Sequence, residues 1–400
     1  MNPSLCEGNL PELLARVRQL ADSHENQTVL DRWQAGGSDV SVTNGASVWH
    51  GVPTTRATQT STIPFTIDPE PLFYAHALNF PLKQYYLDPV CYLEQTLRTK
   101  LYRYETFGDD CYMTKDISLF LGVVLEPSMF GVPSVYPDDR DPWNDHHPVV
   151  AGPEDLDKLI QPDFFASGIM PRCHEFYTTI RALLPEDFTV SFPIWGRGPW
   201  GVAQHLMGFD DLYMAILDDP EFVHELMKRI VALQCTWLQQ RGDFLKIPLP
   251  IGVMYNDEVN CKLLSPDMYH EFIFPYEQAV AKFQNGISYW HSCGDTGNLL
   301  PDVKKLAGLQ MYDVSAWTDW ETAARELRDT DIAVEVRMHP IKDVMLADEA
   351  HIRRQLTRVR QVFEGMKLTV RADGFQPMST LAEDTAKIQR FTQIAKEMLR

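Results

Sequence analysis

"GISYWHSCGDTGNLLPDVKKLAGLQMYDVS", residues 286–315, holds the alternation on which the fold turns. An aliphatic and aromatic run, "ISYWH", stops at His291-Ser-Cys293; Gly294 and Gly297 then open a helical stretch, and a second apolar run, "LQMYDVS", follows. Strand, helix and strand in so short a span is the rhythm of a parallel sheet with helical crossovers. Two soft metal donors also stand where the first strand stops. Alternate residues of a strand point the same way, and imidazole and thiolate both suit Zn²⁺.

The same rhythm runs in both directions. Upstream, "DFTVSFPIWG" (187–196) reads as strand, and Asp219-Pro220-Glu221 starts a helix with Asp as N-cap and Pro at the first helical position. Phe222, Leu226, Ile230, Leu233 and Trp237 line one face of that helix. "IPLPIGVMYNDE" (247–258) is a strand ending in acids, and Ser265-Pro266-Asp267 repeats the cap before "MYHEFIFPYEQAVAKF". Downstream, "DIAVEVRMH" (331–339) and "KLTVRADG" (367–374) are strands, each followed by a helical pattern. "SLFLGVVLEP" (118–127) reads as a buried strand, and "VPSVYPDDRDPWNDHHPVV" (132–150) as a long polar loop. The strand count approaches eight. It favours a (β/α)8 TIM barrel over residues 71–400, with a doubly wound sheet as the alternative and with the first barrel strand unplaced. Residues 1–70, a helical stretch followed by a Thr/Ser-rich one, read as an N-terminal extension or arm.

Composition narrows the function classes. The chain has 400 residues, 44% hydrophobic and 23% charged, with a formal charge of −19. That balance disfavours a nucleic-acid partner, because the one modest basic run, "HIRRQLTRVRQ" (351–361), has the spacing of a solvated helix face. No eighteen apolar residues run together and no signal peptide opens the chain, so a cytoplasmic protein with no membrane partner is expected. Seven widely spaced cysteines fit a reducing compartment. The aromatic region 70–130, including "FYAHALNFPLKQYY", suits either a cover for the barrel or a homo-oligomer interface.

In an eight-fold barrel the active site lies at the carboxyl ends of the strands. Those ends read Trp195-Gly-Arg197, Asn256-Asp257-Glu258, His291-Ser-Cys293, Asp313-Val-Ser315, Arg337-Met-His339 and Arg371-Ala-Asp373. Each alone is more often a cap or a structural hydrogen bonder than a functional group. Trp195, Trp200, Tyr255 and Trp290 are candidates for an apolar pocket wall.

The ordered set "GPWGVAQHLMGFDDLYMAILDDPEFVHELM" (198–227), "YNDEVNCKLLSPDMYHEFIFPY" (255–276), "YWHSCGDTGNLLPDVKKLAGLQMYDVS" (289–315) and "DGFQPMSTLAEDTAKI" (373–388) resembles the uroporphyrinogen decarboxylase superfamily. The resemblance covers roughly residues 70–400 and implies a (β/α)8 barrel. The superfamily also includes zinc-dependent methyltransferases that use corrinoid carriers, and these set the nearest motif: an H-x-C pair and a later Cys hold zinc, which His291 and Cys293 match. No cysteine follows Cys293, and the expected place falls in "TVRADGF". His339 or Asp373 would complete a modified zinc site, or Asp257 or Glu258 would lend a carboxylate, or the metal has been lost. The decarboxylases carry closely spaced arginines in the arm, whereas "VWHGVPTTRATQ" (48–59) offers only Arg56.

The expected function is a methyltransferase moving a methyl group between a small-molecule substrate and a corrinoid or other carrier, with a corrinoid protein as a candidate partner. Zn²⁺ would be held by His291, Cys293, His339 and Asp373, with Asp257, Glu258 and Arg197 as catalytic residues. The alternative is a metal-independent decarboxylase or lyase that grips a carboxylate with Arg197, Arg337 or Arg371 and protonates through Asp257. A non-catalytic corrinoid- or tetrapyrrole-binding module is the third reading.

Overall fold

A computed structural model describes residues 8–43, 51–145 and 147–400. Its centre is a curled sheet of six parallel strands. In chain order the parallel strands of the molecule are β1 (Phe65–Pro69), β2 (Asp116–Ser118), β3 (Thr189–Ser191), β4 (Gly252–Tyr255), β5 (Ile287–His291), β6 (Met311–Val314), β7 (Ala333–Met338) and β8 (Leu368–Phe375). The six-stranded ladder runs β1-β8-β7-β6-β5-β4, while β2 and β3 form a separate parallel pair. Arg197 makes a single parallel bridge to Tyr255, so the segment after β3 touches the edge of β4.

Each sheet strand is short and buried because helices cover the outer face. β5, β6 and β7 are buried at every residue, as parallel strands with both faces covered should be. The caps read from sequence are present. Asp219 accepts from the Phe222 N–H before the helix Pro220–Leu245, and Ser265 accepts from Met268 before Pro266–Phe272. Phe222, Leu226, Ile230, Leu233 and Trp237 all bury against the core. The strand that resisted placement is β1, which ends at Pro69 and pairs with β8.

A ladder closing all eight strands is not what the hydrogen bonds form. On the free edge of β1, the N–H groups of Phe65 and Ile67 donate to the carboxylates of Asp110 and Asp109 at 3.1 and 2.6 Å. Beyond β3, Arg241 donates to the carbonyls of Phe192 and Pro193, and the Glu126 carboxylate accepts from the N–H groups of Gly196 and Arg197. Side chains therefore satisfy backbone groups that a neighbouring strand would otherwise take. "SLFLGVVLEP" is likewise not one strand: β2 stops at Ser118, Gly122 turns the chain at φ 92°, and Leu125–Met129 is helical. A Cβ at Gly122 would also strike Pro142.

Before the sheet, the helix Leu10–Ala21 packs beside the helix Pro89–Thr106, and His24–Ala35 is tied to the segment leading into β2, where Asn26 bonds the Met113 backbone in both directions. Trp33 donates to the Asp110 carbonyl, and Arg18 grips Asp187 with two nitrogens at 2.7 Å. The aromatic region serves as cover: Phe73, Tyr74, Phe80, Tyr86, Tyr92 and Tyr102 are buried. Among the described residues, no helix is long and apolar enough to cross a membrane. The six described cysteines are all free.

Candidate active site

His291 ends β5, and the two residues after it curl the chain so that the Cys293 sulfur lies 3.4 Å from the imidazole Nε2. Asp257, just past β4, brings a carboxylate oxygen to 3.1 Å from the same nitrogen. These three donor atoms lie within 4.8 Å of one another and form the one such cluster among the described residues. Bonds of about 2.0–2.3 Å to a shared tetrahedral zinc would separate neighbouring donors by roughly 3.3–3.6 Å. The spacing around Nε2 is therefore close to that of a coordination shell.

The other side of the ring is also engaged. His291 Nδ1 lies 2.6 Å from Asp313 Oδ2, at the end of β6, and Asp313 has no exposed side-chain surface. A carboxylate on one ring nitrogen fixes the imidazole and raises the basicity of the other, the arrangement found behind metal-bound histidines. Arg337 reinforces it: its Nη1 lies 3.1 Å from Asp313, and 3.9 Å from Cys293 Sγ. Burial works against a charged His291, but Asp313 and the Asp257 hydrogen bond hold its pKa well above the usual histidine value. Burial would also raise the Asp257 carboxyl, yet the bond to His291 and the nearby Arg197 keep it below the ordinary range.

The cluster opens on a cavity of about 350 Å³. Leu119, Leu121, Val123 and Ile194 supply apolar wall, and Arg197, Arg337, Arg371 and Asp373 supply polar wall. Every one of these arginines is already paired. Arg197 bonds Glu258, Arg337 holds Asp313 and Asp373, and Arg371 meets Asp68 at 2.7 Å, Asp373 at 3.2 Å and Glu335 at 3.6 Å.

The residues expected from sequence separate into groups. His291 and Cys293 meet, and Asp257 joins them as the carboxylate donor. Asp373 faces the same cavity but is bound by Arg337 and Arg371 instead of the cluster. His339 is elsewhere in function: its Nδ1 accepts from the N–H groups of Ile341 and Lys342, capping the turn Pro340–Met345, while its ring packs on Trp317. Glu258 is shared by Arg197 and His205 and lines a second cavity of about 340 Å³ on the far side of Asp257. Its place needs small residues opposite, since a Cβ on Gly198 or Gly201 of "GPWG" would collide with Asn256 or Glu258. Of the four candidate wall aromatics only Tyr255 lines the cavity, edge-on to His291. Trp195, Trp200 and Trp290 are wholly buried core, and Trp290 donates to Glu277 on the opposite face of β5. Arg56 spends its guanidinium on the carbonyls of Arg328, Thr330 and Gly365.

Asp313, buried behind His291, and Glu70, on the cavity wall, carried signals that sequence reading left unassigned. Asp313 stands at a strand end, but an acid before a helix reads equally as a cap. Glu70 follows β1 in "FTIDPEP", the same strand, acid, proline and helix order seen elsewhere.

A family model for uroporphyrinogen decarboxylase (URO-D) matches residues 110–370. The chain belongs to that family. The match spans β2 through the start of β8 and includes Asp257, His291, Cys293, Asp313 and Arg337. Among solved structures, a methyltransferase from Methanosarcina mazei superimposes with a TM-score of 0.61 at 16% identity, over 91% of this chain and 98% of that one. This URO-D-family chain therefore shares its fold with that protein. No curated protein matches the sequence.

Proposed function

We propose that this URO-D-family protein is a zinc-dependent methyltransferase that moves a methyl group between a small substrate and a corrinoid or other carrier, which a partner corrinoid protein would deliver. The observation that supports it most is the convergence of Asp257, His291 and Cys293, with Asp313 behind the histidine, at the strand ends and on a cavity. The likeness in fold to a methyltransferase agrees with this reading. In the same reading the eight strands belong to one (β/α)8 barrel, in which residues 71–400 supply β2 to β8 and the arm at 1–70 lends β1.

Asp257, His291 and Cys293 would hold the ion, leaving a fourth position for a substrate atom. Bound there, zinc would act as a Lewis acid that makes the acceptor atom's electron pair available at neutral pH. One thiolate, one imidazole and one carboxylate leave the ion more electron-poor than a set with two thiolates. The chain's own residues do the rest. Asp313 orients His291, Arg337 holds Asp313 in place, and the wall from Leu119 to Val123 limits water beside the reacting atoms. The decarboxylase reading is weaker, because a carboxylate substrate would have to compete for arginines that internal acids already occupy.

Purified protein should contain about one zinc per chain, and Cys293→Ala should lose both the metal and zinc-restorable methyl transfer to cob(I)alamin or from methylcobalamin. Full activity in metal-stripped protein would end the proposal.

A further inference from the structure

Next to the metal-cluster cavity lies another of about 260 Å³, and the two share Glu70, Phe120, Arg371 and Asp373. Its wall combines four aromatic rings, Tyr74, Phe80, Tyr85 and Phe120, with the carboxylates of Asp68, Glu70 and Asp373. The charges there are unequally committed. Asp68 is taken by Arg103 and Arg371, and Asp373 by Arg337 and Arg371. The Glu70 carboxyl has no hydrogen bond or ion pair among the described residues, although its backbone caps onto Phe375 and Phe73. The Tyr74 hydroxyl, on a side chain nine-tenths buried, is also unpartnered.

We propose that this aromatic and acidic recess is the subsite for an organic cation, an alkylammonium group seated against Glu70, which gives the small methyl-transfer substrate its chemical class. Aromatic faces attract a desolvated cation through their negative π-surface, and a carboxylate with no internal partner supplies the opposing charge. An anionic group meets the reverse: every arginine in reach is neutralised, and Glu70 repels it. Neighbouring acids argue the same way. Burial first, then Asp141, Asp373 and Asp68, raise the Glu70 carboxyl to about 7, and Arg371 opposes them only in part. A guest cation would relieve that repulsion, and the recess shares a wall with the cavity that holds the donors Asp257, His291 and Cys293.

The inference rests on the methyl-transfer reading for its meaning, but its test needs no turnover. Calorimetric titration of the full-length, zinc-loaded protein above pH 7 should show choline binding about tenfold tighter than its neutral isostere 3,3-dimethylbutan-1-ol, with acetate weaker than either. Glu70→Gln should remove the preference for the cation and leave zinc content unchanged. Phe120→Ala, at a half-exposed side chain, should weaken choline by a smaller factor. Equal binding of choline and its isostere, tighter acetate, or absence of any binding would each overturn the cation site. Loss of zinc with the choline preference intact would instead count against the metal-dependent reading alone.

Discussion

Two histidines end neighbouring regions of the same sheet and do opposite work. His291, at the end of β5, is followed by Ser-Cys-Gly; its ring stays over the cavity, clamped between Asp313 and Asp257. His339, just past β7, is followed by Pro340, which starts a helical turn at once; its Nδ1 is drawn to the first free N–H groups of that turn. Both are histidines at a strand's carboxyl end, but the register sets His291 level with Glu335, short of His339. The next residues separate them further, because a proline-led turn presents orphan donors that a nearby imidazole will satisfy.

The comparison is most sharply broken by exchanging the fates of the two rings. His291→Ala should abolish zinc retention through gel filtration, while His339→Ala should keep about one zinc per chain; the converse result would show that the sheet's other histidine is the ligand. A subtler change leaves the ring and removes its support: Asp313→Asn should weaken zinc affinity by about 10- to 100-fold, measured by competition with a chelator. Unchanged affinity would mean the Asp313 contact is mere packing.

The smallest effect separates the rings by the sign of their response to pH. Burial and Lys342 lower the His339 pKa below 6.5, so its cap contributes fully above that value and is lost as pH falls and the acceptor nitrogen is protonated. For His291 the pKa is raised above 6.5, so in metal-stripped protein its contribution is complete below 6.5 and is lost as pH rises through the raised value. Denaturant titrations between about pH 5 and pH 8 should therefore lose acid sensitivity in His339→Ala, which should also cost about 1 kcal/mol at neutral pH as a lost cap. His291→Ala should lose the opposite trend. Parallel slopes in both variants would contradict the two assignments.

The fold was legible where local chemistry and global pattern agree. Asp219-Pro220 and Ser265-Pro266 announce helices, and the buried runs of β5 to β8 announce strands, because each signal is a local energy that tertiary contacts do not override. The stretch after Ser118 was not legible. Its apolar residues face a cavity instead of a neighbouring strand, and apolar side chains look the same in sequence in either role. In the site, His291 and Cys293 could be paired because they are two residues apart. Asp257 as their companion in place of Asp373 could not be chosen, since the choice depends on Arg337 and Arg371 capturing Asp373. Trp290 was read onto the cavity although its neighbour His291 occupies that face, and successive strand residues must diverge.

The carboxylates of Asp109, Asp110 and Glu126 fasten the sheet's margins as individual clips rather than as a continuous zip. A zip forces a stretch of backbone to move together, whereas a clip can be released or re-seated singly. The chain from β2 to the helix Leu125–Met129 hangs from such fixings and borders the chemistry. Substrate range in this protein can therefore diversify by re-hanging that panel, with the His291 strand and its register left untouched.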